Sequence, residues 1–237
     1  ALRLAEQFYA EDFRRFGYEL SGLPQPQLIQ YWDQADPPEP IAERMQQWRQ
    51  QHLGWRYQRF NRQTAAAFVR EHYGLALEQA FLDIRLPAMQ ADVLRIAALL
   101  AWGGLWIDAG THCFSPVEDW IDLQAPLLLL RQPHQAHPKV CTGLIYAKAP
   151  QHPLINAAWQ LMAQALLTRS GQKVYRSFGP GVLRDLLASG DWDHTLIVRP
   201  VAELGAHLRF GSSSSFLPVE RHWSQRQQSE SLYLSGG

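Results

Sequence analysis

The stretch Gln90-Ala91-Asp92-Val93-Leu94-Arg95-Ile96-Ala97-Ala98-Leu99-Leu100-Ala101-Trp102-Gly103-Gly104-Leu105-Trp106-Ile107-Asp108-Ala109-Gly110-Thr111 decides the fold of this chain. Val93, Leu94, Ala97, Ala98 and Ala101 recur at helical spacing and predict one apolar stripe. Asp92 is expected in the first helical turn, where a carboxylate suits the positive end of the helix. Gly103-Gly104 ends the helix, because glycine reaches positive φ at low cost. Leu105-Trp106-Ile107 is too short for a helix and rich in strand formers. Asp108 then falls at the carboxyl end of a strand, where open α/β sheets place ligand groups. Asp92 and Arg95, three apart, share a helix face. An acid that follows an apolar strand must reach the sheet edge or be paired.

Outward from this stretch, strand and helix patterns alternate. Gln27 to Trp32 reads as a first strand, followed by a loop through Asp33 and Pro38. Glu39 to Gln51 reads as a helix with Ile41, Met45 and Trp48 on one face. Trp55 to Phe60 alternates as a strand. Thr64 to Tyr73 reads as a helix with Thr64 as its N-cap, and Leu75 to Leu82 as another. This order predicts a layered α/β domain with a largely parallel sheet. Farther on, strands are expected at Pro126–Leu130, Thr142–Ala147 and Leu196–Val198. A long helix is expected from Leu154 to Thr168, with Ile155, Trp159, Leu161 and Met162 buried. A short one follows over Gly181–Ala188.

The chain has 237 residues, 46% hydrophobic and 19% charged, which describes a globular protein. With 22 basic and 22 acidic residues it carries no net field, so nucleic acid is not an expected partner. No apolar run is long enough for a transmembrane segment. Two cysteines, Cys113 and Cys141, make no disulfide framework and point to a reducing compartment. Residues 1–25 read as an N-terminal amphipathic helix and linker, 26–223 as the main domain, and 224–237 as a polar tail.

Several chemistries lack their motifs. There is no Gly-x-Ser-x-Gly elbow and no P-loop. Trp32-Asp33-Gln34-Ala35-Asp36-Pro37 supplies no glycine fingerprint after the first strand. His134 and His137 have no further metal-ligand spacing. Trp32, Asp92, Arg95 and Asp108 are the residue types needed to bind a phosphorylated donor: an aromatic to stack, an arginine for phosphate or a neighbouring acid, and a strand-end aspartate for a hard cation.

These residues stand in a recognisable order. Pro26-Gln27-Leu28-Ile29-Gln30-Tyr31-Trp32 opens it. Trp48 and Trp55–Phe60 follow, then Ala91-Asp92 with Arg95, then Gly103-Gly104-Leu105-Trp106-Ile107-Asp108. Thr142-Gly143, Ala149-Pro150-Gln151-His152-Pro153, Gly179-Pro180 and His222-Trp223 complete it. The pattern resembles the glycosyltransferases with a DXD sugar-binding region, in particular the capsular polysaccharide synthesis branch. The resemblance implies a GT-A type α/β fold, a Rossmann-like nucleotide-sugar-binding sheet flanked by helices. It implies sugar transfer from a nucleotide-sugar donor to a saccharide acceptor, with retention, in polysaccharide or glycoconjugate synthesis.

By the same resemblance, Asp108 and Arg95 are the catalytic residues. Gln30, Trp32, Asp33, Asp92, Arg95, Gly104, His222 and Trp223 bind substrate. Asp108 and His112 hold Mn²⁺ or Mg²⁺. The second acid of the motif is absent, since Ala109 and Gly110 follow Asp108. A cytoplasmic location is expected, with association to a membrane's inner face or an assembly complex. The rival expectation is a non-catalytic nucleotide- or carbohydrate-binding protein on the same fold.

Overall fold

The computed structural model describes residues 25–132, 139–171, 173–190, 192, 195–211 and 230–235. The expected N-terminal helix, His134, His137, His222 and Trp223 lie outside the described residues. The strands are β1 (Gln27–Tyr31), β2 (Arg56–Phe60), β3 (Gly104–Ile107), β4 (His112–Cys113), β5 (Leu127–Gln132), β6 (Lys139–Ala147), β7 (Ile197–Pro200) and β8 (Leu208–Arg209). The helices are α1 (Glu39–Gln51), α2 (Arg62–Tyr73), α3 (Leu75–Leu82), α4 (Pro87–Trp102), α5 (Pro153–Thr168), α6 (Val174–Ser177) and α7 (Pro180–Ser189).

Six strands form one sheet in the order β2-β1-β3-β6-β5-β7, and β4 pairs with β8 in a separate ribbon. The pairings of β1 with β2, β1 with β3 and β5 with β7 are parallel. Both pairings of β6 are antiparallel. The mixed α/β sheet flanked by helices is therefore as expected, with one reversed strand inside it. The reversal follows from chain length: only residues 133–138 separate β5 from β6. A parallel crossover needs a dozen residues or more, whereas a short connection turns the chain back.

Alternation along each strand divides the core into two layers. Ile29, Tyr31, Trp106, Leu129 and Ile145 face a helical layer built from α2 to α7. Leu28, Leu105, Ile107, Leu130 and Leu144 face Trp48 of α1, the Val117–Ile121 segment and the β4–β8 ribbon. A parallel sheet covered on both faces needs such continuous apolar strands, and β3 is buried at all four positions.

The central helix α4 departs from the predicted stripe: Met89, Gln90 and every residue from Val93 to Leu100 are buried. It runs between the sheet and α5, so no side of it faces water along this span. It also starts at Pro87, so Asp92 lies beyond the first turn and the helix dipole does not account for it. In α2 the N-cap is Asn61, whose side chain accepts from the Thr64 amide. Thr64 closes a capping box three residues in, which corrects its expected role as the cap. In α5, Leu161 is 51% exposed, while Ile155, Trp159 and Met162 are buried.

Gly103 and Gly104 have φ of +67° and +91°. Beyond this turn geometry, a Cβ on Gly104 would sit 2.5 Å from the Gln27 carbonyl oxygen, and one on Gly103 would sit 2.7 Å from the Ala149 carbonyl carbon. Only glycine brings the end of α4 this close to β1 and β6.

The polar tail expected from residue 224 is not detached over 230–235. Tyr233 bridges Ile84, and the Arg85 amide donates to the Leu232 carbonyl at 2.9 Å. Asp83 accepts from the Ser235 amide at 2.8 Å and from Arg169 at 2.6 Å. Among the described residues no helix is long and apolar enough to cross a membrane.

Candidate active site at the carboxyl edge of the sheet

β1 and β3 run parallel, with Leu28 beside Leu105 and Ile29 beside Trp106. Their carboxyl ends therefore leave the sheet on one edge. Trp32 and Asp33 follow β1 there, and Asp108 follows β3. The reversed strand β6 brings Gly143 to the same edge, where its carbonyl accepts from the Asp108 amide at 2.9 Å. A Cβ on Gly143 would lie 3.2 Å from Asp108 Oδ2 and 2.8 Å from the Phe210 ring.

Arg95 stands between two acids. It donates from Nη1 to Asp92 Oδ1 and from Nη2 to Asp108 Oδ1, the latter at 2.9 Å. Its guanidinium lies 5.2 Å from the centre of the Trp106 ring, whose Nε1 also donates to Asp108 Oδ1 at 2.9 Å. The side chains of Arg95 and Asp92 are only 5% and 13% exposed, whereas that of Asp108 is 45% exposed. The cluster thus presents one carboxylate to solvent and hides its support. A glycine makes this possible on the buried side: a Cβ on Gly179 would come within 3.1 Å of Asp92 Oδ2.

The electrostatics follow from one cation serving two acids. Burial pushes the Asp92 carboxyl up to about 6, against the pull of the Arg95 guanidinium. Burial alone would lower Arg95, but Asp108 and Asp92 outweigh it and raise its pKa, keeping it charged. Removing Arg95 would leave the buried Asp92 carboxylate without compensation.

On the β1 side, Gln30 is fully buried and its Oε1 accepts from the Tyr57 hydroxyl at 2.9 Å. Trp32 packs against Ile41, Met45 and Ala109, which sets it next to the turn after Asp108. The Asp33 carbonyl accepts from the Arg62 amide at 3.1 Å. Among the described residues, Gln30 Nε2, Trp32 Nε1 and Thr111 Oγ1 are buried and find no hydrogen-bond partner. Buried donors are rarely left unpaired, and three of them near one sheet edge mark a place built to receive polar atoms. Gly104 is elsewhere: it sits at the opposite end of β3, packed on the Gln27 backbone.

Helix α1 fixes the turn that follows Asp108. Arg44 donates to the Gly110 carbonyl and Trp48 Nε1 to the Thr111 carbonyl, both at 2.9 Å. The Thr111 amide closes the turn on the Asp108 carbonyl, also at 2.9 Å. His112 then starts β4 opposite Arg209. Burial lowers the His112 pKa, and Arg44 and Arg209 lower it further.

This arrangement tests the expected metal set of Asp108 and His112. Asp108 Oδ1 is taken up by Arg95 and Trp106, and His112 stands beside two guanidinium groups. Among the described residues no group of three or more His, Cys, Asp or Glu side chains gathers to hold an ion. The donor set does not fit a protein-built metal centre. Sequence reasoning missed Arg44, Arg209 and Phe210, which reach the site from separate elements, and quoted Gly143 only as part of the pattern. The predicted inward face of Ile41, Met45 and Trp48 gave notice that α1 packs inward.

Residues 19–174 match a family described as "Capsular polysaccharide synthesis protein". The chain belongs to that family. The match spans Gln30, Trp32, Arg44, Asp92, Arg95, Asp108 and His112, and leaves Arg209 outside. This member of the capsular polysaccharide synthesis family is also 25% identical over 167 residues to the initiation-specific alpha-1,6-mannosyltransferase of Schizosaccharomyces pombe. That alignment covers 59% of the chain and 42% of the relative, so the chain spans less than half the length of the curated protein it matches. Among solved structures, the family member is similar to the PaToxG glycosyltransferase, with a TM-score of 0.49, 14% identity and 79% of each chain covered. It is also similar to a glycosyltransferase involved in glycosylation of the major capsid of PBCV-1, with a TM-score of 0.38 and 11% identity, covering 74% of this chain and 81% of that one.

Proposed function

We propose that the chain is a glycosyltransferase that moves a hexose from a nucleotide-sugar donor to a saccharide hydroxyl, in polysaccharide or glycoconjugate synthesis. The observation that carries this reading is the exposed Asp108 carboxylate, fixed by Arg95 and Trp106 at the carboxyl edge of the sheet. Family membership and the mannosyltransferase relative support sugar transfer as the reaction class.

In this reading the nucleoside lies along the end of β1, against Trp32 and near Asp33, where the unpaired Gln30 amide and Trp32 indole supply donors. Asp108 accepts hydrogen bonds from hydroxyls of the donor sugar. Arg95 acts through Asp108: its two terminal nitrogens donate to Asp92 and Asp108, so it positions the acid. This replaces the direct catalytic role expected for it. Asp92 holds the far side of Arg95 in the same way. Retention, as the resemblance implies, requires the acceptor oxygen to attack from the face the leaving group departs. The two thiols, Cys113 and Cys141, are unpaired, which suits the cytoplasm as the compartment.

The test is donor turnover over a panel of nucleotide-sugars, with wild type and Asp108→Asn. Loss of a positioned carboxylate at the reacting sugar is expected to lower kcat/KM by about 100-fold or more. Equal turnover by both proteins would overturn the role of Asp108.

A further inference from the structure

His52 caps the C-terminus of α1 and is 3% exposed. Its ring stacks on Trp48, with centres 5.3 Å and planes 14° apart, and meets the Trp55 ring edge-on. Nδ1 lies 2.7 Å from the Trp48 carbonyl oxygen, and Nε2 accepts from the Val117 amide at 3.0 Å. An amide N–H only donates and a carbonyl only accepts, so the two bonds together require one form of the ring: neutral, with its proton on Nδ1. In that form His52 ties the end of α1 to the 3₁₀ turn Val117–Asp119. The tie bears on the candidate site, because the Trp48 indole stacked on His52 donates to the Thr111 carbonyl and so fixes the turn after Asp108.

A second partner stands beside the ring. Glu118 Oε1 accepts from Trp55 Nε1 at 2.6 Å. Its Oε2 is buried, has no hydrogen-bond partner among the described residues, and lies 4.0 Å from His52 Nε2. A second proton, placed on Nε2, would remove the acceptor of the Val117 amide and create a donor for this oxygen, which a shift of about 1 Å brings into reach. The other titratable groups nearby stay out of this exchange. Cys113 shares the buried cluster, and burial pushes its thiol up to about 12, so it stays neutral. Arg49, Arg56 and Asp119 are exposed to solvent. Burial lowers the pKa of His52, with the Trp48 carbonyl and then Glu118 opposing.

We propose that His52 is a positioning residue with two states. Neutral, it holds α1 to Val117 and seats Trp48 against the turn after Asp108; protonated, it exchanges the Val117 amide for the Glu118 carboxylate and loosens that seat. Its effect on turnover rests on the transferase reading above, whereas the exchange itself does not. The sign follows from the lowered pKa of the folded chain. The tie is fully present above the ordinary histidine value of about 6.5 and is lost as pH falls through the lower folded value.

Histidine ring, tryptophan indole and backbone amide resonances of the full chain, followed by NMR between about pH 8 and 4, test the exchange. The His52 signal, identified by its absence in His52→Gln, is expected to titrate below about 6.5. The Trp48 indole and Val117 amide signals should move with the same midpoint. Glu118→Gln keeps an oxygen for Trp55 and removes the charge, so it should lower that midpoint by about one pH unit. His52→Gln can accept from the Val117 amide without titrating, and should hold the Trp48 signal constant over the same range. A Trp48 signal that does not follow His52, or a His52 midpoint untouched by Glu118→Gln, would overturn the proposal. With a donor that is turned over, kcat of wild type should fall on the acid side at the His52 midpoint, and His52→Gln should lack that step. An acid limb that survives His52→Gln unchanged overturns the positioning role. If no nucleotide-sugar is turned over, the transferase reading fails, and the resonances decide the exchange without it.

Discussion

Trp106 of β3 and Asp108, just past its carboxyl end, lie two apart, and the indole of the first donates to the carboxylate of the second at 2.9 Å. Alternate residues of a strand share a face, so a buried aromatic carries the exposed acid's support. Trp106→Phe keeps most of the ring and removes the donor. The expected loss is about 1 kcal/mol of Asp108 positioning, or roughly five-fold to ten-fold in kcat/KM. Steady-state kinetics on a turned-over donor reads it, and an unchanged kcat/KM would show that Arg95 alone suffices.

Arg95 makes a stronger prediction. Arg95→Met leaves Asp92 and Asp108 facing each other without their cation, at a cost of about 3–5 kcal/mol in urea unfolding. Adding Asp92→Asn should recover a large part of that loss, because it removes the buried charge. If the double variant is no more stable than the single one, packing rather than charge holds the cluster.

The pH dependence has a definite sign. The Asp92 carboxyl sits at about 6 in the folded chain, above the ordinary carboxylate value, with burial as the main cause. Between roughly pH 4 and 6 the native state therefore holds more protons than the unfolded one. This group's contribution to stability is full below that window and is lost as pH rises through 6. Each unit of difference corresponds to about 1.4 kcal/mol. Urea unfolding of wild type against Asp92→Asn, from pH 4 to 7, isolates the slope. A difference between the two proteins that does not change with pH would place the carboxyl at its ordinary value.

Two glycines near β3 should respond oppositely to alanine. At Gly104, with φ of +91° and the Gln27 carbonyl 2.5 Å from a would-be Cβ, alanine is expected to cost more than about 2 kcal/mol. At Gly110, with nothing inside 3.8 Å, it should fall within about 0.5 kcal/mol. Thermal unfolding of the two variants side by side decides it, and equal shifts would contradict the account of both.

The legible part of the chain was the part ruled by local pattern. Helix α1 ends where its periodicity ends, and Ile41, Met45 and Trp48 are its buried face. The helix, glycine turn and strand around Gly103 were readable because glycine chemistry is local. Leu161 misleads because a hydrophobic residue beside a buried stripe carries no mark of which side it falls on. Thr64 misleads because a capping box holds two eligible residues three apart. The reversal of β6 follows from a connection length, and strand pattern does not encode direction. Asp92, Arg95 and Asp108 were found together because one segment carries all three. Arg44 and Arg209 lie on distant segments, and only the folding of α1 and the β4–β8 ribbon onto one turn makes them neighbours.

Strand β3 is four residues long, a span of about 13 Å. Its amino end is locked by the close approach of Gly104 to Gln27, and its carboxyl end carries the exposed acid. The part that holds the sheet together and the carboxylate proposed to meet the donor are thus divided between the ends of a single short segment. In the proposed site, a library that varies Trp32 and Asp33 can explore new nucleoside preferences while the glycine turn stays fixed, so specificity and fold are open to separate selection.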